Sequence, residues 1–498
     1  MQEKNTYSHI LKYTGIFGGV QGLNILVGIV RNKLVALLLG PAGMGMASLL
    51  NSIANFAYQA TSLGISFSAV KHLSEIIDSG DDSRISSFVA TVRAWSMVTA
   101  LLGAAVCMAA APALDRWVFD GGGHTVEIMA LAPVVAMMAV TGGETAILKG
   151  ARRLRHLAEI QMLTVLASLV ISVPVYAAAG IRGIIYVILL MALANMGLTA
   201  RRSLKAFPLK RLTGGGGPAA ALSHGGDMVR LGLAFIVTGV MGSGVEMAVR
   251  SLLNNYADLG TVGLYNAGYM LTVTYAGMVF SAMETDYFPR LSAINHDTAA
   301  VNLTANRQIE VSLLVISPMI VLMTAALPLL VPLLYSGRFA PVVPMAQVSL
   351  LSMYARAMML PVAYITLAKS HSKAYIVLET LSALILVALI PPCFGRWGLI
   401  GAGAAILLSN AADLAVIILY ARLRYRFRLS RQVIACAASQ IPLGVAAYAA
   451  TLARHTWVTV TVGVAATAAG TAVSVYVLSK KTDIAEKIRK TIRRHRER

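Results

Sequence analysis

Apolar stretches long enough to cross a bilayer recur from one end of this chain to the other, and no other feature restricts its fold so strongly. Crossing roughly 30 Å of hydrocarbon takes about 20 helical residues. Stretches of that kind fall near 13–39, 44–66, 86–112, 126–148, 157–179, 181–199, 229–251, 264–286, 308–335, 341–368, 373–392, 398–420, 431–451 and 456–478. With a mean hydropathy of +0.71, 57% hydrophobic and only 13% charged residues over 498 positions, a soluble globular fold is excluded. The expectation is an all-α integral membrane protein of about fourteen transmembrane helices.

The loops bear on this reading independently, because short cytoplasmic loops are enriched in Lys and Arg. Alternate connections carry the cations: Lys149, Arg152, Arg153 and Arg155; then Arg201, Arg202, Lys205, Lys210 and Arg211; then Arg422, Arg424, Arg426, Arg428 and Arg431. The intervening loops are short or charge-balanced. Both termini are therefore expected in the cytoplasm, and the net charge of +20 reflects this asymmetry. A nucleic-acid partner is not needed to explain it, since no soluble segment is long enough to form a binding domain. Lys4 and Lys12 precede an apolar run too long for a signal peptide, so it is read as the first helix.

The chain also carries signs of internal duplication. Val30-Arg31, Gly45-Met46, His72-Leu73-Ser74 and Ile76 find counterparts in Val249-Arg250, Gly263-Leu264, Arg290-Leu291-Ser292 and Ile294. Most of these pairs lie 218 residues apart and the arginines 219. Ile147-Leu148-Lys149-Gly150 is echoed by Leu367-Ala368-Lys369-Ser370 at an offset of 220. Related halves in a membrane protein point to a transporter that moves one half against the other around a central site. The expected organisation is two pseudo-symmetric six-helix lobes, 1–212 and 229–428, joined by a linker, 213–228, which contains a run of four glycines. A helix pair at 429–479 and a basic cytoplasmic tail at 480–498 follow; the tail is expected to lie on anionic membrane lipid.

Charges inside apolar helices carry the functional argument, because an ionised side chain at mid-bilayer costs at least about 2.5–3.5 kcal/mol. Such a group is expected to face water, a partner or a substrate. Arg31, Arg93, Arg250 and Arg356 all fall inside predicted spans, with Arg356 near the middle of its helix. Arg93 and Lys33 are long enough to snorkel to headgroups, and Glu246 stands one turn before Arg250 in the favourable order for self-neutralisation. Among acids, Glu144 and Asp413 lie deepest, and Asn410 shares the helix face of Asp413. Either acid is available for proton coupling or as a structural counter-ion to an arginine. A vestibule lined by arginines would hold phosphate or diphosphate through charge-assisted, often bidentate, hydrogen bonds and repel organic cations.

Other chemistry finds little support. The glycine run 214–217 lacks the Lys-Ser/Thr ending of a phosphate-binding loop, and no ATP motif is present. Cys107, Cys393 and Cys436 are scattered and odd in number, which argues against a disulfide framework or a metal site. The histidines lie in or beside loops or near the termini, and no paired-carboxylate, HExxH or Ser-His-Asp arrangement stands out. Neither an enzyme nor a cofactor is expected.

The segment Leu37-Leu38-Leu39-Gly40-Pro41-Ala42-Gly43-Met44-Gly45, together with Leu63-Gly64-Ile65 and Lys71-His72-Leu73-Ser74-Glu75, resembles the polysaccharide transporters of the multidrug/oligosaccharidyl-lipid/polysaccharide (MOP) exporter superfamily. It is most similar to O-antigen translocases and the lipid III flippase of enterobacterial common antigen. The resemblance implies alternating access in a bacterial inner membrane and export of an undecaprenyl-diphosphate-linked oligosaccharide to the outer leaflet. Arg31, Arg93, Arg250 and Arg356 would supply a cation-lined cavity, and an H⁺ or Na⁺ gradient or the membrane potential the driving force. Two rival readings stand beside it. A cation-coupled multidrug antiporter of the same superfamily would need carboxylates, of which the first helix has none between Tyr13 and Val30. A membrane enzyme of polysaccharide assembly would be expected to show a sizeable extracytoplasmic loop, and none is visible.

Overall fold

The computed structural model describes residues 2–78, 80–208, 226–453 and 456–481. The glycine run at 214–217 and residues 482–498 of the basic tail lie outside them. The helices are α1 (Gln2–Thr61), α2 (Ile65–Asp78), α3 (Asp82–Phe119), α4 (Thr125–Met129), α5 (Ala132–Gly150), α6 (Leu154–Ala179), α7 (Ile184–Ala206) and α8 (Gly226–Tyr256). They continue with α9 (Leu259–Tyr269), α10 (Ala276–Ala293), α11 (Thr298–Leu334), α12 (Val342–Ala368), α13 (Ser372–Tyr425), α14 (Arg431–Thr451) and α15 (Thr456–Lys481). No strand occurs among the described residues, in keeping with an apolar solvent that leaves backbone groups to be satisfied within each helix.

Ten helical runs among the described residues are long and apolar enough to cross a membrane. Two of these, Leu154–Ala206 and Ser372–Tyr425, are 53 and 54 residues long, enough for two crossings each, and a third, Leu26–Thr61, is part of the 60-residue α1. Each is interrupted by a glycine with positive φ: Gly40 at 64°, Gly180 at 55° and Gly398 at 56°. These glycines fall at the boundaries where hydropathy separates 13–39 from 44–66, 157–179 from 181–199, and 373–392 from 398–420. A left-handed residue redirects the chain without a loop, and only glycine adopts it at little steric cost. The apolar stretch 264–286 is not among the ten runs; a π-helical segment, Met270–Tyr275, separates α9 from α10 there. The ten runs therefore do not by themselves fix the number of crossings at fourteen.

Contacts divide the chain into two compact units, Met1–Gly263 with Leu333–Arg338, and Leu264–Pro332 with Phe339–Arg498. In the first, α5 packs against α2, α3 and α7, while α1 packs against α6 and α8. Its core joins Ile65 and Leu73 of α2, Val89 and Val92 of α3, and Ile147 of α5, all buried. In the second, α12 packs against α13 and α10, and α14 against α15. Val321 of α11 meets Ala447 of α14 and Ala466 of α15. The α12 span is 72% buried, more than any other of the ten.

Within the first unit, two glycines paired by the sequence repeat lie against each other. A Cβ on Gly45 would collide with the carbonyl oxygen of Leu259, and one on Gly263 with that of Pro41. Leu259 lies 218 residues beyond Pro41 (259 − 41), as Gly263 does beyond Gly45 (263 − 45). The contact is thus reciprocal, with each segment offering the same glycine and the same carbonyl to the other, the pattern of a self-complementary interface. Small residues at such crossings let helix backbones approach closely where no hydrophobic effect drives them together.

Gly45→Ala and Gly263→Ala are each expected to lower the thermal unfolding midpoint of the detergent-purified protein, by the roughly 1–3 kcal/mol typical of overpacking. Gly197→Ala, where an added Cβ meets nothing within 4 Å, should leave it unchanged or slightly raised. Equal midpoints for all three variants would contradict the close crossing.

Candidate functional site

The intramembrane charges sort into those that are engaged and those that are not. Arg93 on α3 and Glu144 on α5 form a bidentate pair, Nε to Oε1 at 2.8 Å and Nη2 to Oε2 at 3.1 Å. Arg93 Nη1 also donates to the Phe207 carbonyl at 3.0 Å, and Nη2 to Ser203 Oγ at 3.4 Å. Their side chains are only 12% and 8% exposed. The guanidinium of Arg93 is thus turned inward onto α5 and α7. Both carboxylate oxygens of Glu144 accept from it, which leaves this pair a brace between helices rather than a surface for ligand.

Arg250 on α8 donates from Nη1 to Glu246 Oε2 at 3.0 Å and to Ser52 Oγ of α1 at 2.9 Å. In the second unit, Asp413 on α13 accepts from Ser382 Oγ at 2.9 Å within the same helix, folded back at Gly398. Arg356 of α12 and Glu379 of α13 lie within electrostatic reach of Asp413. Asn410 turns away from it, its amide donating to the Ile406 carbonyl at 2.9 Å.

Arg31 and Arg356 differ from the others in making no hydrogen bond or ion pair among the described residues. The Nε of each is buried and has no hydrogen-bond partner; Arg250 Nε shares that feature, but its guanidinium is held through Nη1. Arg31, half-buried on the part of α1 that precedes Gly40, lies within electrostatic reach of Tyr176 on α6. Arg356 is half-buried on the most enclosed span. A desolvated donor left unmade costs about 1–3 kcal/mol, more when charged. A guanidinium presenting an unspent Nε is suited to grip a planar or tetrahedral oxyanion through two parallel bonds.

The first unit also holds a cavity of about 290 Å³ that the charge argument does not find. Tyr58 of α1, Ser66 of α2, Thr141, Thr145 and Lys149 of α5, and Asn195 of α7 line it. Gly142 makes room for Tyr58, whose hydroxyl a Cβ there would strike. Thr141, Thr145 and Lys149 sit four residues apart and so share one face of α5. That i, i+4 polar stripe in an apolar helix is the sequence signal for this lining, and the loop cations that follow Lys149 mask it. A pocket of hydroxyls, an amide and one ammonium can hydrogen-bond a polyhydroxylated ligand. Among the described residues no cluster of His, Cys, Asp or Glu could hold a metal.

The fold and its buried cations together define a multi-pass α-helical membrane protein with a polar, arginine-bearing interior. Residues 34–344 match the family described as polysaccharide biosynthesis protein, and the chain belongs to that family. No curated protein matches it. Among solved structures, the lipid II flippase MurJ in an inward closed conformation is similar with a TM-score of 0.67 at 11% identity, over 93% of this chain and 99% of that one. A multidrug resistance MATE family transporter of the MOP superfamily, inward-facing, is similar with a TM-score of 0.62 at 14% identity, over 82% of this chain and 94% of that one. The fold is therefore that of the MOP superfamily.

Removing one member of the Arg93–Glu144 pair strands the other in a buried setting, which typically costs about 3–5 kcal/mol, whereas exchange of both for apolar residues is often near neutral. Glu144→Gln and Arg93→Met are each expected to lower the unfolding midpoint strongly, and the Arg93→Met/Glu144→Leu double variant to recover much of it. Thermal unfolding followed by size-exclusion chromatography reads this; a double variant as unstable as the sum of the two singles would contradict the pairing.

Proposed function

We propose that this protein is a flippase. It carries an undecaprenyl-diphosphate-linked oligosaccharide, an O-antigen unit or a related surface-polysaccharide repeat, from the inner to the outer leaflet of the bacterial inner membrane. The single observation that carries the reading is that two half-buried arginines, Arg31 and Arg356, make no hydrogen bond or ion pair among the described residues. Membership of a polysaccharide biosynthesis family and a fold shared with a lipid II flippase support it.

The chemistry of the task fits these residues. A sugar-diphosphate head pays heavily to enter hydrocarbon without hydrogen-bonding partners, while its polyprenyl tail gains nothing by leaving it. The head needs a polar path and the tail a lateral opening. Arg31 in the first unit and Arg356 in the second are each available to a diphosphate, and the hydroxyl-lined cavity that includes Lys149 accepts sugar hydroxyls. Arg93, Glu144, Arg250, Glu246 and Asp413 hold helices in place and balance charge. Reorientation of the two halves then presents the head to the other side, with both termini remaining in the cytoplasm. An ion gradient or the membrane potential acting on the bound charge supplies the drive, worth about 2.3 kcal/mol per elementary charge per 100 mV.

Flipping of a fluorescent polyprenyl-diphosphate oligosaccharide in proteoliposomes tests this directly. The wild-type protein is expected to flip it, and Arg31→Ala and Arg356→Ala each to slow flipping about 10–100-fold, the scale of a lost charge-assisted hydrogen bond of roughly 1.5–3 kcal/mol. Full activity in both variants, or export of an organic cation by a wild type that does not flip the lipid, would overturn the proposal.

A further inference from the structure

A second cavity, of about 420 Å³, opens at the helix ends of the second unit. Thr298 begins α11, Lys369 and His371 form the turn before α13, and Arg424, Tyr425 and Arg426 come from the far end of α13. The break at Gly398 returns α13 on itself, which brings its two ends to one side of the unit. No acid is among the six lining residues. Asp297, next to Thr298, is occupied in accepting from the backbone N–H groups of Ala299 and Ala300.

The cationic lining is held in place. Lys369 Nζ donates to the Asn295 carbonyl at 2.7 Å and lies 6.0 Å from the centre of the Tyr425 ring. His371 stacks on the same ring at 5.6 Å, its Nδ1 2.7 Å from the tyrosine hydroxyl. An ammonium has three donors and Lys369 spends one of them on Asn295. Arg424 and Arg426 are exposed, and neither guanidinium is in an ion pair with a carboxylate among the described residues. Three permanent positive charges and an imidazole around one hollow repel each other unless an anion sits between them. The helix dipoles do not decide the sign, since the C-termini of α12 and α13 meet the N-termini of α11 and α13 at this cavity.

We propose that this cavity is a binding site for a phosphate-type anion, either the headgroup of an anionic lipid or free phosphate. Two guanidinium forks and an ammonium converging from separate chain segments match a tetrahedral oxyanion. The site stands apart from Arg31, Arg93 and Arg250, which belong to the first unit, and does not depend on the flippase reading.

The test uses the full-length protein in detergent, titrated separately with sodium phosphate and with short-chain phosphatidylglycerol, binding being read by native mass spectrometry and by the rise in unfolding midpoint. Saturable binding of either probe is expected, weakened at least tenfold in Arg424→Gln/Arg426→Asn. Asn is chosen because Arg426 has φ of 54°, a conformation Asn tolerates. Arg422→Gln/Arg431→Gln removes two exposed charges from the same loop region outside the cavity and should leave binding unchanged. Binding of the lipid alone identifies a headgroup site, and binding of both shows that the phosphate group suffices; each upholds the proposal. Failure of both probes to bind, or equal loss in the Arg422/Arg431 variant, would overturn it.

Discussion

Hydrocarbon offers no hydrogen-bond donor or acceptor, and this one property of the solvent governs most of what the chain does. Backbone groups are satisfied within helices, so long apolar runs continue as helix even where they reverse, with Gly40, Gly180 and Gly398 providing the turns. Side-chain charges obey the same rule. Arg93 spends three of its nitrogens on Glu144, Phe207 and Ser203, and Arg250 turns to Glu246 and Ser52. Against that background, a half-buried guanidinium with no hydrogen bond or ion pair among the described residues stands out. Arg31 and Arg356 are of this kind, which is why they carry the functional reading and the better-connected arginines do not.

Residues related by the sequence offset recur in the packing. Gly45 and Gly263 meet reciprocally, each against the carbonyl that corresponds to its counterpart's contact. Lys149 and Lys369 stand at the ends of corresponding helices, and each lines a cavity of its own unit. The company they keep differs. Lys149 closes a pocket of hydroxyls and an amide, whereas Lys369 joins a histidine and two arginines. Two positions related by the 220-residue offset thus stand in two chemical settings, one among neutral polar groups and one among cations.

Much of this was legible in the sequence. Helices of bilayer length follow from hydropathy because burial in lipid leaves a continuous apolar signal, and the glycine breaks fall where that signal dips. A polysaccharide-related family was legible from the Leu37–Gly45 segment, which contains the turn at Gly40. Partnerships were less accessible. Arg93 and Glu144 are 51 residues apart, and nothing in either neighbourhood marks the other as its mate. The basic cavity draws on three separate chain segments, so its cations read individually as loop charges of the positive-inside kind. The π-helical segment at Met270–Tyr275 left no trace in hydropathy, which reports burial and not helical pitch.

The repeat also explains why one arginine is spent and its counterpart is not. Arg250 has Glu246 one turn before it, and the pair closes at 3.0 Å. At the same offset of 219 residues that relates Arg250 to Arg31 (250 − 31), Glu246 corresponds to Val27 (246 − 219), an apolar side chain that offers no acceptor. The difference between a self-neutralised cation and an available one therefore comes down to a single position one helical turn away. The residues just before the two arginines, Val30 and Val249, are the same, and the difference four positions before leaves one arginine in an ion pair and the other without one. Were the proposed transport correct, few unspent donors would serve it better than many, because each added charge-assisted bond deepens the well from which a carried anion has to leave.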